Sequence, residues 1–255
     1  VPDEISFAKF IGKYTAWDKG PECWVFFRDH PKLKHRPLED VLIQRVQLFG
    51  SCAIHAPVTM QHYLVALHTN GETEMTLDMP KWLRKHAKRA MLEGIVFENG
   101  VVSTTVLAQI LVPDEGSKRP RLEYAFTCTS IVEKMQQYGP GLVGFWRVAS
   151  DFNKSVGSHV GAAPAEDVTN PDGRHAMLVV GHRRTKEGDL RLLLQNWWRK
   201  KQFVEVDEAY FNSCNECDVV FVATPQKYFP AAIDVTGDAF AVCAADGAGA
   251  SGTMV

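Results

Sequence analysis

A cysteine stands where a helix is predicted to begin. Cys52 follows Gly50 and Ser51 and opens a run with helical spacing. A thiol at a helix N-terminus meets the positive end of the helix dipole, which lowers its pKa and makes it a better nucleophile. The alternative is a small buried hydrophobic residue, which is the usual role of a free cysteine.

Two polar residues far along the chain could complete a nucleophilic site, because such a cysteine needs a base and the base needs an orienting group. His175 opens the apolar strand in "GRHAMLVVGH", and Asn196 ends the next one in "LLLQNWW". If these strands form a hairpin with its turn near "TKEGD", Asn196 can hydrogen-bond the ring of His175, and a following tryptophan could shield that bond. A lone histidine at a strand mouth could also be structural.

Two residues near Cys52 bear on the same chemistry. Gln47 lies five residues before Cys52, and its amide could stabilise an oxyanion together with the Cys52 N–H. His55 lies one turn after Cys52. We expect it to be partly buried and to pack, because it is too close to Cys52 to leave room for a substrate between nucleophile and base.

Helix signals cluster in the first half of the chain and strand signals in the second. Helices are predicted after Ser51, over 80–94 and after Ser103, and Ser130 with Glu133 predicts a capping box for a helix ending at Gly139. Together with the strands this pattern predicts an α+β protein in two lobes. The predicted strands are 142–148, 176–182, 190–196, 202–206 and 218–224.

Composition excludes several classes of protein. With 255 residues, 45% hydrophobic and 23% charged, the chain is of ordinary globular composition. A net charge of -2 gives no general attraction to nucleic acid, and no apolar run reaches the ~20 residues of a membrane-spanning helix. The chain opens with Val1, which suggests a processed product or a fragment, so missing targeting signals say little about its compartment.

The six cysteines are too few and too irregularly spaced for a disulfide scaffold. Cys214 and Cys217 form a C-x-x-C, but no second pair or histidine cluster completes a zinc site. A redox pair remains an alternative to two structural cysteines. We expect no metal and no cofactor.

Several motifs together resemble the papain-like (cathepsin) cysteine peptidases, over roughly residues 44 to 224. "QLFGSCA" is similar to the family's Gln…Gly-Ser-Cys-Trp, "HAMLVVGH" to His-Ala-Val-x-x-Val-Gly-Tyr, and "QNWW" to Lys-Asn-Ser-Trp. "ENG" resembles the start of the family's Asn-Gly-Gly substrate loop, and "GPGLVGFWRVASDF" resembles its Gly-Pro-Val-Ser-Val…Asp-Phe strand.

The resemblance implies a papain-like two-lobed fold. A helical left lobe would occupy about 41–115 and an antiparallel β-barrel-type right lobe about 116–225, with the active-site cleft between them. Residues 1–40 would be an extension packed on this body, and 226–255 a low-complexity tail. An organelle lumen such as a lysosome or vacuole is the implied location, although the family's usual disulfide is missing, which leaves a reducing compartment possible.

The resemblance also implies site roles. Cys52 would be the nucleophile, His175 the base, Asn196 its orienting partner and Gln47 the oxyanion donor. The residues implied to contact a peptide substrate are Asn99, Gly100, Val101, Arg174 and Trp198.

The sequence departs from the family pattern close to the nucleophile. Ala53 replaces a tryptophan, and the spacing from Gln47 to Cys52 is one residue short. Pro57 falls inside the predicted helix, which must therefore kink or start later. Val101 replaces the second glycine of the substrate loop and narrows the room there.

Three functions are compatible with these motifs. The first is a cysteine endopeptidase, which the complete Cys-His-Asn set favours. The second is a papain-like scaffold or binding subunit of a larger assembly with weak or no activity, which the departures favour. The third is an acyl transferase or ligase. The aromatic residues of 1–40 predict that this extension packs away from Cys52 and partly meets a protein partner.

Overall fold

The structure is a computed structural model. It describes residues 25–26, 47, 52–68, 121–149, 152, 158–162, 174–198, 201–215 and 218–223. The helices predicted over 80–94 and after Ser103, the loop 98–101 and the tail 226–255 lie outside the described residues. Only parts of 1–40 and of the predicted left lobe are described, so the division into lobes stays a prediction.

The described strands belong to one sheet. They are β1 (Val25–Phe26), β2 (Leu122–Ala125), β3 (Gly141–Arg147), β4 (Ser158–His159), β5 (Arg174–Arg184), β6 (Leu190–Trp198), β7 (Lys201–Asp207) and β8 (Val219–Val222). Their order in the sheet is β2-β8-β3-β5-β6-β7-β4, and β1 pairs separately with β5. All pairs are antiparallel except β4 with β7, which is parallel.

Strands β5 and β6 form the predicted hairpin. Their apolar runs are buried on both faces, from His175 to Gly181 and from Leu192 to Trp197. The turn is closed by the Thr185 N–H, which donates to the Asp189 carbonyl at 2.9 Å, and by the Gly188 N–H, which donates to Thr185 at 3.0 Å. Gly188 adopts a φ of 91°, a conformation that glycine takes without steric cost. The start of β5 and the end of β6, which lie opposite the turn, are therefore side by side.

Three helices lie in the described residues: α1 (Cys52–His68), α2 (Cys128–Tyr138) and α3 (Glu208–Cys214). The predicted capping box at Ser130 and Glu133 is wrong. Thr127 is the N-cap of α2, and the Ser130 N–H donates to its side chain while Ser130 Oγ accepts from the Thr127 N–H. The helix ends before Gly139, as predicted, and this residue has a φ of 97°.

Helix α1 packs against β5 and β3 and begins at Cys52 with Pro57 inside it. A later start of the helix, one of the two expected consequences of Pro57, is therefore wrong. Because Pro57 lacks an N–H, the Ala53 carbonyl loses its intrahelical donor. Cys52 stays in the first turn, where the backbone N–H groups have no intrahelical partners.

The protein is an α+β protein, in which α1 and α2 cover a large mixed sheet. Side chains of α1 such as Met60, Tyr63 and Leu64 join the core with Leu178, Val179 and other residues of β5. None of the helices in the described part of the chain has the length and apolar character needed to cross a membrane.

Candidate active site

Cys52 is the first residue of α1 and carries a free, half-buried thiol. The position exposes the sulfur to the positive end of the helix dipole. It also leaves the Cys52 N–H without an intrahelical acceptor, so this group can donate elsewhere.

His175 and Asn196 come from neighbouring strands and are hydrogen-bonded in the protein interior. His175 Nε2 lies 2.6 Å from Asn196 Oδ1, and the Trp197 N–H donates to the same oxygen at 2.7 Å. The Trp197 amide can only donate, so the shared atom must be the side-chain oxygen rather than the nitrogen. His175 Nε2 then carries the hydrogen in this bond, which leaves Nδ1 for another partner.

The Cys52 thiol interacts with the same ring, since charge and a side-chain hydrogen bond between Cys52 and His175 shift the pKa of both groups. Burial raises the pKa of the Cys52 thiol, but the charge and the hydrogen bond of His175, with backbone bonds to Ala176 and Ala53, outweigh it, and the net pKa is lowered. Burial lowers the pKa of His175, but the charge and hydrogen bond of Cys52 and the bond to Asn196 raise it overall. The arrangement favours a thiolate beside an imidazolium.

Two tryptophans follow Asn196 in β6, and the second lies against the imidazole. The Trp198 ring lies 4.9 Å from the His175 ring, with 30° between their planes, and covers one side of it. Trp197 Nε1 donates to the Ala176 carbonyl at 2.6 Å. These contacts hold β5 and β6 together at the point where the polar pair lies.

His55 packs against this framework. Its side chain is 4% exposed, and its ring stacks on Trp197 at 6.0 Å with 24° between the planes. The expectation that His55 packs is confirmed, although its side chain is fully rather than partly buried. The role of His175 as base stays a proposal.

Gln47 is tied to the same strand end. Its backbone N–H donates to the Trp197 carbonyl at 2.8 Å, so it lies next to the residue that follows Asn196. The side chain is half-buried. Its role as oxyanion donor stays a proposal.

The remaining predicted substrate residues are partly described. Arg174 is exposed at the start of β5, next to His175, and opposite Arg147 of β3. Trp198 lies against His175, as described above. Asn99, Gly100 and Val101 lie outside the described residues, and so does Cys217; Cys214 is a free, buried thiol.

Comparisons with known proteins identify the fold. No family model matches the sequence, and no curated protein sequence matches it. A structure from work on the mite allergens Blo t 1 and Der p 1 is similar with a TM-score of 0.53 at 16% identity, covering 78% of this chain and 70% of that chain. The bromelain protease of Ananas comosus matches with a TM-score of 0.42 at 12% identity, covering 78% of this chain and 97% of that chain. The Amb a 11 cysteine protease of ragweed pollen matches with a TM-score of 0.42 at 13% identity, covering 78% of this chain and 64% of that chain.

The chain has the papain-like fold. At these identities the likeness concerns the fold alone, and the chain is a divergent example of it. What the site can do chemically must therefore be argued from its own residues.

Several residues of the candidate site were not predicted from the sequence. The Ala176 backbone, which contacts both Cys52 and Trp197, carries no side-chain signal. The Tyr63 hydroxyl donates to Gln195 Oε1 at 2.7 Å, linking α1 to β6. A buried group around Lys201 and His159 also lies beside Trp198, and only the basic run after the tryptophans hinted at it.

Proposed function

We propose that the protein is a cysteine peptidase, with Cys52 as nucleophile, His175 as acid and base, and Asn196 as the group that orients His175. The observation that carries the proposal is the 2.6 Å contact between His175 Nε2 and Asn196 Oδ1, together with the interaction of the Cys52 thiol with the same imidazole. The papain-like fold supports a peptidase at the general level.

Acylation would begin with attack of the Cys52 thiolate on a peptide carbonyl carbon. The oxyanion that forms would accept hydrogen bonds from the Cys52 N–H and the Gln47 side-chain amide. His175 would then pass its Nδ1 proton to the leaving amine as the C–N bond breaks. A thioester on Cys52 and a free amine would result.

Deacylation would reverse the role of His175. The neutral imidazole would take a proton from water while the water oxygen attacks the thioester carbonyl carbon. Collapse of the second tetrahedral intermediate would break the C–S bond, release the carboxylic acid and restore the thiolate–imidazolium pair. Asn196 would hold Nε2 through both steps, so that Nδ1 always faces the sulfur.

Substrate binding is proposed on the two sides of Cys52. The backbone of Asn99, Gly100 and Val101 would pair with an extended peptide by main-chain hydrogen bonds. Arg174 and Trp198 flank His175, where the leaving amine must lie, and would contact the other side of the peptide.

A peptide mixture of known composition tests the proposal. Mass spectrometry should find new N- and C-termini with the wild type, and none with Cys52→Ala at equal concentration. Absence of cleavage by the wild type, with Cys52 no more reactive than an ordinary thiol, would contradict the proposal and leave the scaffold or binding-subunit function. Ligated peptides in place of hydrolysed ones would indicate a transferase.

A further inference from the structure

We propose that Lys201 is a positioning residue for the candidate active site, acting through Phe152 and Trp198 on the hydrogen-bonded pair of His175 and Asn196. The inference rests on the proposed function, because it assigns a residue to the same site.

The Lys201 ammonium is buried among groups that suit a cation. The residue is 5% exposed, and its Nζ donates to the Phe152 carbonyl. Nζ also lies 3.1 Å from His159 Nε2 and 4.1 Å from the centre of the Phe152 ring. A buried charge is costly unless such partners replace water. The ammonium and the groups around it therefore hold one another in a single arrangement.

The proton positions at this cluster follow from the donor inventory. With Lys201 charged, Nζ has donors but no acceptor, so His159 Nε2 is the acceptor of this bond and the His159 ring is neutral. The neutral ring stacks on Phe152, with 5.2 Å between centres, and lies 4.8 Å from the ring of Tyr210. Phe152 is thus held by Lys201 from one direction and by His159 from another.

Aromatic contacts connect the cluster to the candidate site. The Phe152 ring meets Trp198 nearly edge to face, at 5.6 Å and 71°. Trp198 in turn covers the His175 ring at 4.9 Å. Trp198 and Lys201 are also opposite one another in the register of β6 and β7. The path from the ammonium to the imidazole therefore has only two aromatic residues in it.

Orientation of the imidazole is what this path would control. Nδ1 must face the sulfur and Nε2 must face Asn196, and a misplacement of about 1 Å in such a set can reduce a rate by about 10²-fold. Loss of the ammonium would free Phe152 to shift, and Trp198 would no longer hold the imidazole from that side.

Alkylation of Cys52 by iodoacetamide across pH is the test, with Lys201→Met as the variant. We expect the rate constant at neutral pH to fall about tenfold. In the plot of this rate constant against pH, the rise on the acid side should move to higher pH, because a misoriented His175 stabilises the Cys52 thiolate less. We call this rise the acid limb. Phe152→Leu keeps the backbone carbonyl but removes the ring between Lys201 and Trp198, so it should move the limb in the same direction. It gives the answer if Lys201→Met does not fold.

Glu205→Gln is the matched control. Glu205 is also buried on β7, where it accepts from Arg183 Nε at 2.9 Å and from Ser158 Oγ. Glutamine keeps an acceptor for Ser158, which precedes His159, and none of the described contacts of Glu205 reaches Trp198. We expect it to lower the melting temperature and leave the acid limb in place. A wild-type profile in Lys201→Met or Phe152→Leu, or an equal shift in Glu205→Gln, would overturn the inference. If wild-type Cys52 itself reacts like an ordinary thiol, the proposed function fails and the inference fails with it.

Discussion

At the scale of residues, two histidines lie near Cys52 in different surroundings. His175 interacts with the Cys52 thiol by charge and a hydrogen bond, which raises the His175 pKa, and its Nε2 lies 2.6 Å from Asn196 Oδ1. His55 stacks on Trp197 and contributes area to the packing of α1. The proposed function gives the first histidine a chemical role and the second a packing role.

His55→Ala should therefore retain much more peptidase activity than His175→Ala. Loss of a general acid and base costs about 10²–10⁴-fold in rate. Loss of the stacked ring should cost at most about tenfold in activity, and about 0.5–1.5 kcal/mol of stability from the aromatic pair beyond its buried area. Steady-state kinetics with thermal unfolding of both variants would check this. A larger activity loss in His55→Ala would overturn the assignment of the base.

The sequence was informative at this scale where a residue type is required by chemistry. Cys52, His175 and Asn196 could be selected because their flanks and order are unusual, and the structure brings the three together. Lys201 and His159 could not be selected from the sequence. A lysine in a basic run is ordinarily solvated, so nothing in the sequence indicates that Lys201 is buried beside His159. The burial of Lys201 depends on Phe152, which is 49 residues away, and on the sheet that places the two together.

At the scale of elements, the strands and the hairpin were predicted because apolar runs with turn signals between them have few alternatives. Each predicted strand was found, with ends shifted by up to two residues. The N-cap of α2 was placed at Ser130 because a capping box usually has a glutamate three residues after the cap. In the structure Thr127 is the N-cap, and Ser130 takes the place of that glutamate. The start of α1 was uncertain because Pro57 conflicts with helix propensity, and packing on the sheet overrides that conflict.

Gly139 joins two of these elements, since it ends α2 beside α1. A methyl group added there would clash with Leu67 Cδ1, whereas at Gly188 it would meet no atom within 4 Å. Both glycines have positive φ, 97° and 91°, so both alanine variants share backbone strain. We expect Gly139→Ala to be less stable than Gly188→Ala by about 1–3 kcal/mol, the usual range for overpacking. Equal midpoints in urea unfolding would show that Leu67 moves aside without cost.

At the scale of the whole molecule, a short part of the N-terminal region joins the sheet. Val25 and Phe26 pair with His182 and Gly181 of β5, and Phe26 is 2% exposed. Gly181 lies six residues along β5 from His175, which is about 20 Å in an extended strand. This dipeptide therefore lies well away from the imidazole. The placement of the rest of residues 1–40, and its proposed contact with a protein partner, stay predictions.

Deletion of residues 1–27 should lower stability without activating the protein. Removing a buried phenylalanine alone costs about 3–5 kcal/mol, so Phe26→Ala is the smaller, matched change. Both proteins should unfold at a lower temperature than the wild type. While they are folded, iodoacetamide should alkylate their Cys52 at the wild-type rate. A large rate increase on deletion, with solubility intact, would instead identify the segment as an inhibitor of the site.

The most direct test of the central claim is the pH dependence of Cys52 alkylation in the wild type and in His175→Ala, with each modified cysteine identified by mass spectrometry. In the wild type, the acid limb should lie below the range of an ordinary thiol, because His175 lowers the pKa of Cys52. In His175→Ala the acid limb should move to the range of an ordinary thiol or above it. Without His175, nothing of comparable size opposes the effect of burial, which raises the pKa of Cys52. Cys128 should stay unmodified near neutral pH, since burial and the charges of Glu208 and Asp207 raise its pKa to about 12. A wild-type Cys52 that reacts like an ordinary thiol, or a profile unchanged by His175→Ala, would contradict the account.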